Sequence, residues 1–117
     1  MTSLVACLGT TKGTLAYIQK LIDAEPWEKI FLVSDESGLS FSPGKPVSFI
    51  VVKEDLLLSE MVELIKKQIE NRVPDTEVAL NLISGSGKLH MAILSALMKS
   101  GLGIRLVGMS KDGMKEI

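Results

Sequence analysis

Cysteines, long apolar runs and a targeting segment are scarce or missing in this sequence. Among its 117 residues Cys7 is the only cysteine, which excludes disulfides within the chain and multi-cysteine zinc sites. The longest apolar runs fall far short of the ~18 residues that span a bilayer, and Met1–Thr11 lacks the basic start and cleavage region of a signal peptide. These absences predict a soluble, cytoplasmic protein with no membrane partner.

An excess of charge of either sign is also lacking. The chain has 13 lysines and arginines against 14 aspartates and glutamates, for a formal net charge of −1. A chain so close to neutrality has no global basic field that would attract duplex DNA. Any phosphate that it binds must therefore be held by a local group of donors.

Apolar residues are abundant, at 46% of the chain, while charged residues make up 23%. This composition is slightly more apolar than that of an average soluble domain, and it suits a small protein that buries both faces of a sheet. Because a single core usually holds about 100 to 200 residues, the chain from 1 to 117 is expected to form one domain.

Short apolar runs alternate with segments of helical periodicity. The predicted strands are Ser3–Gly9, Lys29–Ser34, Val47–Val52, Glu77–Ile83 and Ile104–Met109. The predicted helices are Thr14–Asp23, Glu54–Arg72 and a third that begins near Leu89 and ends at a glycine cap in Ser100–Gly101. Asp35–Pro46 is predicted to be a loop, and the polar tail from Ser110 is predicted to fray.

This order of elements predicts the α/β class, with a Rossmann-like, mostly parallel sheet of about five strands and helices on both faces. In such sheets, ligands bind beyond the carboxyl ends of the strands, at the point where the strand order reverses. Two segments rich in small and basic residues follow strand ends, namely Gly9–Gly13 and Ser84–Lys88. We expect these two turns to lie side by side.

Both turns carry the groups that hold an anion at the start of a helix. Glycine lets a ligand approach the backbone N–H groups, serine and threonine add donors, and lysine adds charge. The alternative is that Gly85 and Gly87 only provide unusual backbone angles and that Lys88 is solvated. Because a lysine in the first helical turn faces the unfavourable end of the dipole, the anion site is the preferred interpretation. The candidate ligand-binding residues are Gly9, Thr10, Thr11, Lys12, Ser84, Gly85, Ser86, Gly87 and Lys88.

Two familiar nucleotide motifs do not fit the second turn. A Walker loop ending at Gly87-Lys88 would need a glycine at Leu82 and a hydroxyl residue at Leu89. The dinucleotide fingerprint would need a third glycine where His90 stands. The sequence therefore supports neither nucleoside triphosphate hydrolysis nor NAD binding.

The stretch "NLISGSGKLHMA", late in a chain that opens with an apolar strand and "LGTTKGT", resembles the CRISPR-associated Rossmann fold (CARF) family. In that family a late strand leads into a "TGGTK"-like turn and a helix, and the turn after the first strand supplies the other half of the site. The corresponding stretch here reads "SGSGK", so Gly87 stands where the family has a hydroxyl residue.

The resemblance implies a homodimer that binds a cyclic oligoadenylate, a second messenger of antiviral signalling, across its twofold axis without a metal or cofactor. Some family members are ring nucleases, in which a ribose 2′-hydroxyl attacks the adjacent phosphate while lysine and hydroxyl groups stabilise the developing charge. By this resemblance Lys88, Ser86 and Thr11 are the candidate catalytic residues. The sequence leaves open whether the ring is cleaved or only bound.

His90 and a methionine row on the third helix each allow two interpretations. His90 could be a general base, but a structural contact directed away from the turn is preferred, and no second histidine or cysteine accompanies it as a metal ligand. Met91, Leu94 and Met98 form a second apolar row, expected at a homodimer interface, with deep burial as the alternative. The alternative function is a non-enzymatic, small α/β regulatory or scaffold protein that binds a partner protein through this helix.

Overall fold

The computed structural model describes residues 2–9 and 12–117, without the side chain of Lys12. The strands in this part of the chain are β1 (Ser3–Cys7), β2 (Ile30–Ser34), β3 (Ser48–Val51), β4 (Glu77–Asn81), β5 (Gly103–Ser110) and β6 (Gly113–Glu116). The helices are α1 (Lys12–Ala24), α2 (Leu58–Ile69) and α3 (Gly87–Lys99), and a 3-10 turn spans Glu36–Ser40. None of the helices in the described ranges is long and apolar enough to cross a membrane.

The described strands form a six-stranded sheet in the order β3-β2-β1-β4-β5-β6. All neighbours from β3 to β5 are parallel, and β6 is antiparallel to β5. Every residue of β1 and β2 is buried, as expected of central strands that are covered on both faces. The predicted α/β class and the mostly parallel, Rossmann-like sheet are confirmed.

Side-chain alternation along the strands divides the core into two layers. Val5 and Cys7 of β1 point toward α2 and α3, where they pack with helix residues such as Ile65 and Ile93. Residues at the alternate positions of β1 point toward α1 and pack with Ile18 and its neighbours on that helix. Helices therefore cover both faces, as predicted.

The predicted helix over Glu54–Arg72 is wrong at both ends, because α2 occupies only Leu58–Ile69. At its start, the Glu60 carboxylate accepts the N–H of Leu57 at 3.1 Å, which satisfies an N–H group that has no partner inside the helix. At its end, Glu70 leaves the helical region with a ψ of 130°, and Asn71 follows in a left-handed conformation with a φ of 62°.

The polar tail was predicted to fray, and this is also wrong. After a turn at residues 111–112 the chain returns as β6, and Ser110 pairs with Gly113. Gly113 has a φ of 109°, which a hairpin turn needs and which glycine adopts without steric cost. The Arg105 guanidinium then bonds the carboxylate of Glu116 across the hairpin. Polar composition alone did not reveal this strand, because its pairing with β5 is a tertiary interaction.

The end of α3 agrees with the sequence. Gly101 has a φ of 74°, and the N–H of Leu102 bonds the carbonyl oxygen of Leu97 at 3.2 Å. A left-handed glycine with this backward hydrogen bond closes the last turn. The predicted glycine cap is confirmed.

Candidate functional site

The strand order reverses between β1 and β4, so this is where a ligand site is expected in a doubly wound sheet. The two strands pair in parallel, with Ala6 opposite Asn81, and the turns that follow them leave the same edge of the sheet. A methyl group added at Gly9 would overlap the Ser84 hydroxyl and would lie 3.1 Å from Cγ2 of Thr14. The start of the first turn, at Gly9, therefore lies beside the second turn, as predicted.

Part of the first turn lies outside the described residues. Thr10 and Thr11 are not among them, and of Lys12 only its place at the start of α1 is described. The assignment of these three side chains to ligand binding, and of Thr11 to catalysis, therefore stays a prediction.

Ser86 caps the N-terminus of α3. Its Oγ accepts the N–H of Leu89 at 3.1 Å, and its carbonyl oxygen accepts the N–H of His90 at 3.0 Å. Gly87 and Lys88 are the first two residues of the helix, where backbone N–H groups have no acceptor within the helix. These N–H groups and the positive end of the helix dipole are the features with which helices bind phosphate.

The turn before Ser86 has a backbone that only glycine adopts without strain. Gly85 has a φ of 100° and lies against the end of β1, since a methyl group here would be 3.1 Å from the Sγ of Cys7. Gly87 differs, because its φ is not in the left-handed region and nothing lies within 4 Å of its added methyl group. The alternative that both glycines serve only the backbone conformation therefore fits Gly85 and does not fit Gly87.

Lys88 is held by main-chain oxygens. Its Nζ donates to the carbonyl oxygen of Glu54 at 2.9 Å and to that of Leu56. Lys88 is exposed, as the alternative of a solvated lysine expects, but its ammonium group is also bonded within the protein. The ammonium group therefore lies against the turn between β3 and α2.

Glu54 is a site residue that the sequence did not reveal. The Ser86 hydroxyl donates to its carboxylate, at 3.1 Å from Oε2 and 3.3 Å from Oε1. The two residues are 32 positions apart, and the sequence places Glu54 at the start of the predicted second helix. No local pattern distinguishes Glu54 from other surface glutamates. Its contact with Ser86 arises only because the turn between β3 and α2 crosses the edge of the sheet.

Asn81 was also missed, although a signal was present in the sequence. It is a polar residue that directly follows the apolar run Val78–Leu80, and only 4% of it is exposed. Its Nδ2 donates to the carbonyl oxygen of Val107 at 2.8 Å, and its Oδ1 accepts the N–H of Ile83 at 3.1 Å. Asn81 therefore fixes the start of the turn relative to β5.

The predicted direction of His90 is wrong, whereas its structural role is borne out. Its Nε2 lies 2.6 Å from the carbonyl oxygen of Ser84, so the ring points back to the turn. Because a carbonyl oxygen can only accept, Nε2 carries the proton and donates to it. In this arrangement Nε2 cannot act as a general base.

Cys7 lies beneath the turn and is fully buried. Burial, with a smaller contribution from the Glu54 carboxylate, raises the pKa of its thiol to about 12. A thiol in this state is neutral at physiological pH and does not serve as a nucleophile. Its contribution to the site is to pack against Gly85.

The raised pKa of Cys7 predicts a loss of stability in alkaline solution. The unfolded thiol ionises near its ordinary pKa of 9.0, and the folded thiol ionises only near 12, so protonation favours the folded state between these values. The free energy of unfolding should lose about 2 kcal/mol from this group between roughly pH 8.5 and 10.5. Urea titrations of the parent and of Cys7→Ala at both pH values measure it, since the difference between the two proteins isolates the thiol. A difference that does not change with pH would contradict the prediction.

The outer row of α3 is exposed. Met91 is 61% exposed and Met98 is 69% exposed, while Leu94 is half-buried and packs against the core. The deep-burial alternative is therefore wrong for the two methionines. An apolar helix face of this kind is typical of a contact surface.

A separate cavity of about 290 Å³ lies on the α1 face at the amino ends of the strands. It is lined by Thr2 and Trp27, which precede β1 and β2, and by Arg105. Arg105 donates to Glu116 and to Glu77, so its charge is already neutralised within the protein. For that reason we place the candidate anion site at the carboxyl edge and not in this cavity.

Across residues 2–9 and 12–117, no three histidine, cysteine, aspartate or glutamate side chains come together as metal ligands. No family model matches the chain, and no curated protein is significantly similar to it.

Proposed function

We propose that this protein is a CARF-type domain that binds a cyclic oligoadenylate of CRISPR antiviral signalling as a homodimer. One observation carries the proposal: the turns after β1 and β4 meet at the reversal of strand order, where Gly9 is in contact distance of Ser84. Beside them lie the capped N-terminus of α3 and the ammonium group of Lys88. This combination suits the phosphodiester backbone of a small nucleotide.

A ring ligand fits the charge distribution better than a duplex. The net charge of −1 provides no long-range attraction for a polyanion, so affinity must come from donors that contact individual phosphates. In a twofold-symmetric dimer a symmetric ring would meet each turn twice, which doubles every hydrogen bond to phosphate. The proposed dimer therefore compensates for the few cationic groups of one chain.

The exposed row of α3 supports the dimer. Met91 and Met98 provide flexible apolar side chains on the helix whose N-terminus belongs to the proposed site. A self-contact through this helix would hold two sites in a fixed relation, as a shared ring requires. The same row favours a second candidate function, in which this helix binds a different protein and the protein has no nucleotide ligand.

Binding is better supported than cleavage. Gly87 provides no hydroxyl group next to Lys88, where the CARF family has one. By the resemblance, a ring nuclease would use a hydroxyl group at this position to orient the 2′-hydroxyl and to stabilise the charge that develops on the phosphate. We therefore propose a sensor, and ring cleavage is an outcome that the experiment distinguishes.

The test is to incubate the purified protein with cyclic tetra-adenylate and to measure three quantities. We expect a rise in melting temperature, a ratio of one ring to two chains by light scattering, and an intact ring by chromatography. Linear tetra-adenylate serves as the control, because it has the same bases without the symmetric closure. A linearised product would instead identify a ring nuclease. If rings of any size neither bind nor react, the nucleotide proposal fails and the protein-binding function of α3 remains.

A further inference from the structure

The turn between β3 and α2 reaches across the candidate site. Glu54 follows β3, an edge strand of the sheet, whereas Ser86 follows β4, and both β2 and β1 lie between these strands. Even so, the Glu54 carboxylate accepts the Ser86 hydroxyl, and Lys88 donates to the carbonyl oxygens of Glu54 and Leu56. The side chains of Ser86 and Lys88 that are proposed to meet the ligand are therefore both bonded to this turn.

The Glu54 carboxylate lies where an anion would be expected to bind. It contacts the hydroxyl of the residue that caps α3, at the positive end of the helix dipole. Its charge also reaches Cys7 beneath the turn, where it helps to keep the thiol protonated. A phosphate on the same hydroxyl would stand beside this carboxylate, and two anions in contact repel each other.

We infer that Glu54 is an autoinhibitory residue, an internal anion that occupies the Ser86 hydroxyl and must move away before a phosphate can bind. This inference rests on the anion site of the proposed function. When Glu54 moves away, the whole turn is released with it. Lys88 gives up its hydrogen bonds to the two main-chain carbonyl oxygens of the turn and bonds the ligand instead. Ligand binding would thereby free the segment that leads into α2.

The inhibition favours ligands with several phosphates. A single phosphate must replace the Glu54 carboxylate at the Ser86 hydroxyl and two main-chain carbonyl oxygens at the Lys88 ammonium group, so it gains little. A ring that contacts both turns of both subunits must displace two carboxylates, but it makes additional hydrogen bonds at every turn within one binding event. Glu54 would therefore raise the ligand concentration that binding requires, and it would do so more for inorganic phosphate and mononucleotides than for the ring.

Glu54→Gln tests this inference, because the amide oxygen still accepts from Ser86 while the negative charge is removed. We expect cyclic tetra-adenylate to bind about tenfold more tightly, and inorganic phosphate to stabilise the variant more than it stabilises the parent. Glu63→Gln is the matched control, since it removes the same charge from an exposed position of α2. The melting temperature of each protein without ligand shows that both variants fold.

The outcomes separate this inference from the proposed function. If the ring binds the parent and Glu54→Gln with equal affinity, Glu54 does not inhibit and the proposed function stands. If the ring binds neither protein but phosphate stabilises Glu54→Gln selectively, the inhibition is supported and the ring is the wrong ligand. If neither ligand distinguishes Glu54→Gln from Glu63→Gln, the inference is overturned.

Discussion

Lys88→Met should weaken the binding of cyclic tetra-adenylate by about a hundredfold or more. A charge-assisted hydrogen bond to phosphate is worth roughly 1.5–3 kcal/mol, and a dimer that shares one ring loses two of them, so the total is about 3–6 kcal/mol. The change also removes the hydrogen bonds of Lys88 to Glu54 and Leu56, which loosens the inhibitory turn. That effect acts in the opposite direction, but both hydrogen bonds are exposed, so water takes over the two carbonyl oxygens when Lys88 leaves them and the loss of charge at the phosphate dominates.

Isothermal titration of the parent, Lys88→Met and Lys99→Met measures this effect. Lys99 is an exposed lysine at the other end of the same helix, so its replacement removes an equal charge away from the turn. The control should bind as the parent does, and all three proteins should unfold cooperatively. If Lys88→Met binds within about threefold of the parent, a change of less than about 1 kcal/mol, the turn after β4 is not the phosphate site.

Gly85→Ala should lower the free energy of unfolding by about 2–4 kcal/mol. Two effects act together at this position. A side chain is strained at a φ of 100°, and its methyl group would lie 3.1 Å from the Sγ of Cys7 and 3.3 Å from the Nε2 of His90. Neither neighbour can move easily, since Cys7 is fully buried and His90 is bonded to Ser84.

Urea unfolding monitored by circular dichroism measures this loss, with Gly87→Ala as the control from the same turn. Gly87 is at the first position of α3, has no left-handed φ and has open space around an added methyl group. Because alanine is a better helix former than glycine, the control should be neutral or up to about 1 kcal/mol more stable. Equal stabilities for the two variants would contradict the backbone role assigned to Gly85.

The order of the elements could be predicted because it depends on local patterns. Apolar runs such as Ser3–Cys7 and Ile30–Ser34 are short, rich in buried residues and separated by segments of helical spacing. That order also predicted that the two turns lie close together, because the carboxyl ends of parallel strands share one edge of the sheet. The ends of the elements were predicted less well. Helix α2 is shorter than predicted, because its start depends on the hydrogen bond of the Leu57 N–H and its end on the backbone angles around Asn71.

Other features depended on contacts that no local pattern encodes. The strand Gly113–Glu116 exists because it pairs with β5, and its composition is that of a loop. His90 was expected to point away from the turn because helical spacing was the only guide, and the hydrogen bond to Ser84 reverses that direction. The exposure of Met98 excludes the deep burial that the sequence had left as an alternative.

The sequence by itself determined the class of fold and the chemistry available at the carboxyl edge, which consists of glycines, hydroxyl groups and lysines in two turns. These properties follow from residue types at short spacing, which the chain specifies directly. Only the tertiary structure decided which partners Ser86 and Lys88 have. Glu54 is 32 residues before Ser86, and its carboxylate reaches that hydroxyl because the sheet order and the crossing of the β3–α2 turn bring them together. Hydrogen bonds act only within about 3 Å, so distance in space, and not distance along the chain, determines them.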